Sequence, residues 1–289
     1  GDNGDVVDCV DIYKQPAFNH PLLKDHKLQI NPSSALYQNN SGPDFIQTWH
    51  KNGKCSEGTV PIRRRQLQDS DTSMQGPHHE ASLHCSIFKT YQLNKCNLFI
   101  YMDVKLQYAG IISWPPAGQK YYGGGGHLSV WNPAVSRTRD LSASTLIVSL
   151  SVAEAAFMIA GWIDRPTGNW WLYVKDNPIG YWPAALFTGF PEEAERLKWG
   201  GQIYDSIGGA QHTDTDMGNG LFPETNQASL VCSLKYVDSG FTLRTPLRSS
   251  LRTLVTNPLC YNAELLPGSD PANGVCFMFG GSGRNINCQ

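Results

Sequence analysis

Apolar residues in this chain alternate with polar ones more often than they recur at helical spacing. From Cys96 onward the runs NLFIYMDVKL, YAGIISW, HLSVWN and STLIVSLSV are short, rich in β-branched and aromatic side chains, and separated by Pro and Gly. The pattern resumes in GNWWLYV after a Gly168-Asn169 turn, ends a short run at Tyr181-Trp182-Pro183, and resumes again at Gln202-Ile203-Tyr204. QASLVCSLKYV, GFTLRTP, CYNAELL and GVCFMFGG continue it to the C-terminus. Pro191, with Glu192, Glu193 and Glu195 behind it, predicts a brief helical patch reaching Lys198 and broken by Gly200-Gly201. VAEAAFMIAGW fits a helix or a strand. Tyr121 to Gly126 lacks the helix that must follow a phosphate-binding loop, and reads as a flexible turn before the strand HLSVW. Many short strands without a fixed repeat predict an all-β fold, an antiparallel β-sandwich.

The N-terminal block differs. In DCVDIYKQPAFNHPLLKDHKLQINPS, Pro16, Pro21 and Pro32 exclude a long helix and predict extended chain. The stretch from Gln66 to His84, QLQDSDTSMQGPHHEASLH, is polar and aperiodic and reads as a linker. Two parts are therefore expected: an extended N-terminal segment over 1–76 and a β-sandwich domain over 77–289. His79-Glu80-Ala81-Ser82-Leu83-His84 is not a zinc-protease motif. Histidines at i and i+4 share a helix face, whereas i+5 turns the second one away, so no metal site is predicted. Arg63-Arg64-Arg65 fits a processing signal or a solvated charge cluster.

Composition narrows the classes. The 28 glycines and 18 prolines among 289 residues favour turns and strands over helices. A net charge of −2 gives no electrostatic case for nucleic acid or for an anionic membrane. No window reaches the roughly 18 consecutive apolar residues of a membrane span. GxSxG is absent, which removes a nucleophile-elbow serine hydrolase. The eight cysteines, at 9, 55, 85, 96, 232, 260, 276 and 288, contain no CxxC pair. Their even number and wide spacing suit an oxidising compartment. The sequon Asn39-Asn40-Ser41 agrees, and a start at Gly1 rather than Met fits removal of a signal peptide, so secretion is expected. Trp170, Trp171, Trp182 and Trp199, half of the eight tryptophans, crowd into one stretch. They are either packing or the walls of a groove for a peptide-like or sugar-like ligand.

These motifs carry a resemblance. DCVDIYKQPAFNHPLLKDH and CSEGTVPIRR resemble the activation-peptide region of the plant neprosin family. YYGGGGHLSVWNP, GNWWLYV, GYWP, KWGGQ, QHTDTDMG, CY and GGSGRNINC resemble its peptidase domain, so the likeness spans nearly the whole chain. The resemblance implies a secreted zymogen whose N-terminal segment covers a sandwich of two antiparallel sheets. Characterised members are glutamic peptidases that cut after proline in acid, without metal or cofactor; the implied partner is a proline-containing peptide or protein. The chemistry is intelligible. One ionised glutamate takes a proton from water, and a facing group supplies a proton or hydrogen bond to the carbonyl oxygen. Two close carboxylates holding one proton suit acid pH.

The chain departs from the family's pattern at both catalytic positions. Where the family has WGGE, this sequence has Trp199-Gly200-Gly201-Gln202. Where the family has IEAGW, it has Met158-Ile159-Ala160-Gly161-Trp162, with Ile159 in the glutamate's place and Glu154 the nearby carboxylate that a shifted alignment would use. Strands that family members carry between IEAGW and GNWW are replaced by Ile163-Asp164-Arg165-Pro166-Thr167, and a short CxxxxC pair is gone. Related fungal glutamic peptidases pair Glu with Gln, so Glu154 as base and Gln202 as oxyanion donor define one reading, an acid endopeptidase. The other is a binding or structural protein on the same scaffold; a truncated gene product is a third. The site is expected to place Gln202 on a strand facing a groove lined by some of Trp170, Trp171, Trp182 and Trp199, whose rings suit proline. The N-terminal segment is expected to shield that groove. By the family likeness Cys9 should pair with Cys55 and Cys260 with Cys288. Cys85, Cys96, Cys232 and Cys276 stay unassigned, with Cys85–Cys96 one conceivable pair.

Overall fold

The structure is a computed structural model that describes residues 6–33, 53–64, 105–115, 118–137, 140–149, 157–159, 161–174, 177–187, 193–206, 211–268 and 274–289. The linker from Gln66 to His84, the sequon, Glu154, Cys85 and Cys96 lie outside the described residues. The strands are β1 Val7–Asp11, β2 Thr59–Arg63, β3 Lys105–Ser113, β4 Gly123–Leu128, β5 Leu141–Ser149, β6 Phe157–Ile159, β7 Gly161–Asp164 and β8 Asn169–Val174. After them come β9 Asn177–Trp182, β10 Arg196–Asp205, β11 Ser229–Val237, β12 Leu243–Arg244, β13 Leu251–Val255, β14 Asn262–Leu265 and β15 Phe277–Gly280. Among the described residues the only helical pieces are short 3₁₀ turns, such as Pro16–Asn19, Pro21–Leu23 and Ala184–Phe187. The fold is the expected all-β sandwich of antiparallel strands.

The chain divides into two compact units. The larger comprises Tyr91–Ile163 and Phe190–Gln289. One of its sheets has the order β13-β3-β10-β5-β6, and another runs β14-β15-β11-β4-β7 with β12 paired to β11. Every registered pair is antiparallel. β10 is the centre of the first sheet, hydrogen-bonded to β3 on one side and β5 on the other. Its alternation separates two faces. Leu197, Trp199 and Ile203 point inward and are fully buried with Ile111, Val231, Leu234, Phe277 and Phe279. Gly201 shares that inward side. A Cβ there would come within 2.4 Å of the Met217 side chain and 2.8 Å of Phe279, so those groups pack on bare backbone.

Two local expectations are corrected. Tyr121 to Gly126 is not a flexible turn: Gly123–Leu128 is strand β4, paired with β11. Its glycines let the opposite sheet approach. A Cβ on Gly124 would meet Leu197 at 3.1 Å and one on Gly126 would meet Trp199 at 3.4 Å. Where described, the expected helical patch ending at Lys198 is not helical: Ala194 bridges to Tyr121, and Arg196, Leu197 and Lys198 open strand β10. Burying Leu197 and Trp199 on one side of a sheet outweighs the helix-starting preference of a Pro and three Glu. The ambiguous VAEAAFMIAGW resolves, where described, to strands β6 and β7.

Cys260 pairs with Cys288 (Cα–Cα 5.2 Å) and Cys9 with Cys55 (5.4 Å), as expected. Cys232 pairs with Cys276, tying β11 to the chain entering β15. Each such closure is worth about 2–4 kcal/mol.

The smaller unit comprises Gly1–Thr90 and Asp164–Gly189. In it β1 pairs with β2, reinforced by an Arg64–Asp8 ion pair, and β8 pairs with β9 as a hairpin in which Trp170 faces Trp182 and Trp171 faces Tyr181. Leu23 is buried, and its 3₁₀ turn packs on the turn Ala184–Phe187 that follows the hairpin.

Candidate functional site

The outward face of β10 is built by Lys198, Gly200, Gln202 and Tyr204. Directly opposed residues of antiparallel strands share a face, so the register defines the surroundings. Gln202 lies between Tyr108 of β3 and Ala143 of β5. Gly200 lies between Gly110 and Thr145, Lys198 between Ile112 and Ile147, and Tyr204 between Leu106 and Leu141. The Thr145 hydroxyl donates to the Gly200 carbonyl at 3.2 Å. Lys198 Nζ sits 6.0 Å from the centre of the Tyr108 ring. Among the described residues of this sheet, no Asp or Glu shares the face of Gln202; Asp205 points inward and is fully buried, bound by Arg137 at 2.8 Å.

The family's other glutamate position, Ile159, is on β6. Its Cα pairs with Ile147, which in turn pairs with Lys198, so it stands at the Lys198 rung. Gln202 lies four residue steps along β10 from that rung, about 13 Å along the strand. Trp199 does not share the Gln202 face. It lies three positions away, on the opposite side of β10, and donates its Nε1 hydrogen to the Gly125 carbonyl at 2.9 Å inside the sandwich. A groove wall made of Trp199 and Gln202 together is therefore excluded by strand alternation. Trp170, Trp171 and Trp182 belong to the β8–β9 hairpin of the other unit, where Trp170 and Trp171 are buried and Trp182 is half-buried.

That hairpin carries a polar clasp for the N-terminal segment. The Gln29 amide donates to Asp164 Oδ2 at 2.8 Å and accepts from Asn169 Nδ2 at 2.7 Å, while the Ser33 backbone N–H donates to Asp164 Oδ1 at 3.1 Å. Thr167 Oγ1 donates to Asp164 Oδ2 at 2.7 Å. Tyr181 Oη accepts the Gln29 N–H at 2.8 Å and shares a hydrogen bond with His26 Nε2 at 2.7 Å. The His26, Tyr181 and Trp171 rings follow one another, with centroid separations of 5.7 and 4.8 Å. Burial alone would raise the Asp164 carboxyl, but the donors from Gln29, Thr167 and Ser33 hold it at about 2. Burial lowers His26 below its usual range.

A second carboxylate node lies wholly in the larger unit. Asp140 Oδ2 accepts from the hydroxyls of Thr213, Thr215 and Ser136, and Oδ1 from the N–H and hydroxyl of Ser206. Burial works against its charge, and these donors overcome it, leaving the carboxyl below the ordinary range. The QHTDTDMG motif thus serves as a brace through Thr213 and Thr215. Its His212 is buried beside the Cys260–Cys288 bridge, whose sulfurs are joined to each other. None of these partnerships had a signal in the chain, because the donors and the acceptor are 66 to 75 residues apart for Ser206, Thr213 and Thr215.

The fold and clasp together define a β-sandwich protein whose N-terminal segment is bound to an aromatic hairpin. Residues 135–282 match the family model described as Neprosin, and residues 1–82 match the one described as Neprosin activation peptide. The chain belongs to the neprosin family, a family of proteases made with an activation peptide.

Proposed function

We propose that this chain is a secreted neprosin-fold protein that holds proline-containing peptides without hydrolysing them. The observation that carries this reading is the face of Gln202: an amide where the family has a carboxylate, with no Asp or Glu beside it among the described residues of the sheet. A neutral amide donates to a carbonyl oxygen but takes no proton from water, so binding survives where water activation does not. The clasp of Gln29, His26 and Ser33 on Asp164 and Tyr181 supports a proform in which the N-terminal segment occupies the hairpin.

The test uses the full chain and an Asp164→Asn variant, whose N-terminal segment is less firmly held. Each is mixed with a proline-rich peptide from pH 3 to 6, with cleavage followed by mass spectrometry and binding by tryptophan fluorescence. Binding without cleavage is expected, and Gln202→Glu alone should not restore cutting. Cleavage after proline by the unmodified chain, abolished in Glu154→Ala, would replace this reading with the Glu/Gln peptidase.

A further inference from the structure

Tyr108 stands directly across the ladder from Gln202, on the same face. It is only 6% exposed, and among the described residues its hydroxyl has no hydrogen-bond partner. A buried phenol without a partner is unusual, since such groups are nearly always satisfied. The ring runs along β3 toward Gly110: a Cβ built on Gly110 would lie 2.8 Å from the Tyr108 oxygen. Gly110 faces Gly200 of β10, so the hydroxyl lies over a two-glycine strip with no side chain to accept its hydrogen. The Thr145 hydroxyl on this face donates to the Gly200 carbonyl and makes no hydrogen bond with Tyr108. Lys198 above the ring holds its orientation by a cation–π contact.

The face opens in one direction. At the Tyr204 rung Leu106 and Leu141 are 52% and 47% exposed, Gln202 on the next rung is half-buried, and Tyr108 opposite it and Lys198 farther along are buried. A ligand entering over Leu106 and Leu141 meets the Gln202 amide first and the Tyr108 hydroxyl next. Burial pushes the Tyr108 phenol far above its usual range, so it stays a donor at every working pH. An N–H donor and an O–H donor on a face that has no carboxylate among the described residues suit an acceptor. The tertiary amide before a proline supplies one, having a carbonyl oxygen and no N–H.

We propose that Tyr108 is a peptide-binding residue, its unpartnered hydroxyl completing with the Gln202 amide a donor pair for a carbonyl oxygen of the bound peptide. This rests on the peptide-binding reading above. It assigns Tyr108 a role in affinity and none in stability.

Removing only the oxygen separates the two. Tyr108→Phe should bind the same proline-rich peptide roughly three- to tenfold more weakly, the value of one hydrogen bond. Its Tm should be unchanged or up to about 3 °C higher, because an unsatisfied buried hydroxyl is deleted. Tyr121→Phe, which removes a hydroxyl bonded to Ser113 at 2.7 Å, serves as control and should leave affinity unaltered. Equal affinity of Tyr108→Phe and the unmodified chain overturns this proposal and leaves the peptide-binding reading standing. A lower Tm for Tyr108→Phe also overturns it, by assigning the hydroxyl a structural partner. If neither the unmodified chain nor Asp164→Asn binds the peptide, both readings fall.

Discussion

Asp140 and Asp164 are the same chemical device in two regions. Each is a buried carboxylate surrounded by hydroxyl and amide donors, and each is held below the ordinary carboxylate range by them. The difference lies in what stands behind the donors. Those of Asp140 come from Ser136, Ser206, Thr213 and Thr215 of one unit, beside β5 and the end of β10. Those of Asp164 include Gln29 and Ser33, which belong to an N-terminal stretch tied to the hairpin also by the Asn169–Gln29 bond, the Tyr181 bonds and the buried Leu23 turn. A well-satisfied carboxylate is thus a brace or a latch according to whether its donors can leave together.

The largest effect should come from Asp140→Ala. Four hydroxyls and a backbone N–H lose their acceptor in a buried site, which should cost about 3 kcal/mol, or roughly 6–12 °C in Tm by differential scanning calorimetry. If Asp140→Ala melts within 2 °C of the unmodified chain, the brace is not one.

Asp164 should respond locally. Its folded carboxyl is depressed, so its contribution is complete above the unfolded value near 4 and is lost as pH falls through about 2. Amide exchange at Gln29 and Ser33 should stay slow from pH 6 to about 4 and accelerate below it, while the strands of the larger unit stay protected. Asp164→Asn should remove the pH dependence and expose the N-terminal segment to limited proteolysis at neutral pH. Release centred above the carboxylate range would point instead to His26, whose imidazole burial holds below its usual range.

The smallest effect belongs to Tyr181→Phe. It removes the acceptor of the Gln29 N–H and the partner of His26, while the ring stays on Trp171. A loss of about 1 kcal/mol is expected, read as faster exchange at Gln29 without a change in global Tm.

Much of the architecture was legible in the chain. Short alternating runs identified the strands, and the motif likeness identified the family and two of the three described disulfides. Trp199 is one of four tryptophans of which some are expected to line the groove, although its odd spacing from Gln202 puts it on the other side of any strand containing both. Pro191 and its glutamates look like a helix start, but Leu197 and Trp199 have a core to fill, and packing decided. The clasp and the brace left no trace in the sequence. Gln29 meets Asp164 across 135 residues and Thr213 meets Asp140 across 73, and nothing local marks either as a partner. Tyr108 was equally silent: in KLQYAGIIS it is one more strand aromatic, and only the missing partner of its hydroxyl sets it apart.

The Cys9–Cys55 bridge makes the N-terminal segment a closed ring that contains His26, Gln29 and Ser33. A single protease cut anywhere inside the ring leaves both new ends tethered. The latch residues then rebind as an intramolecular event, at the high effective concentration that a short tether imposes. A cut in or after the arginine run at 63–65 is topologically different, because it frees the ring from the rest of the chain as one piece and makes rebinding bimolecular and dilutable. The same number of broken peptide bonds therefore gives a nicked but still latched protein in one case and an irreversible departure in the other.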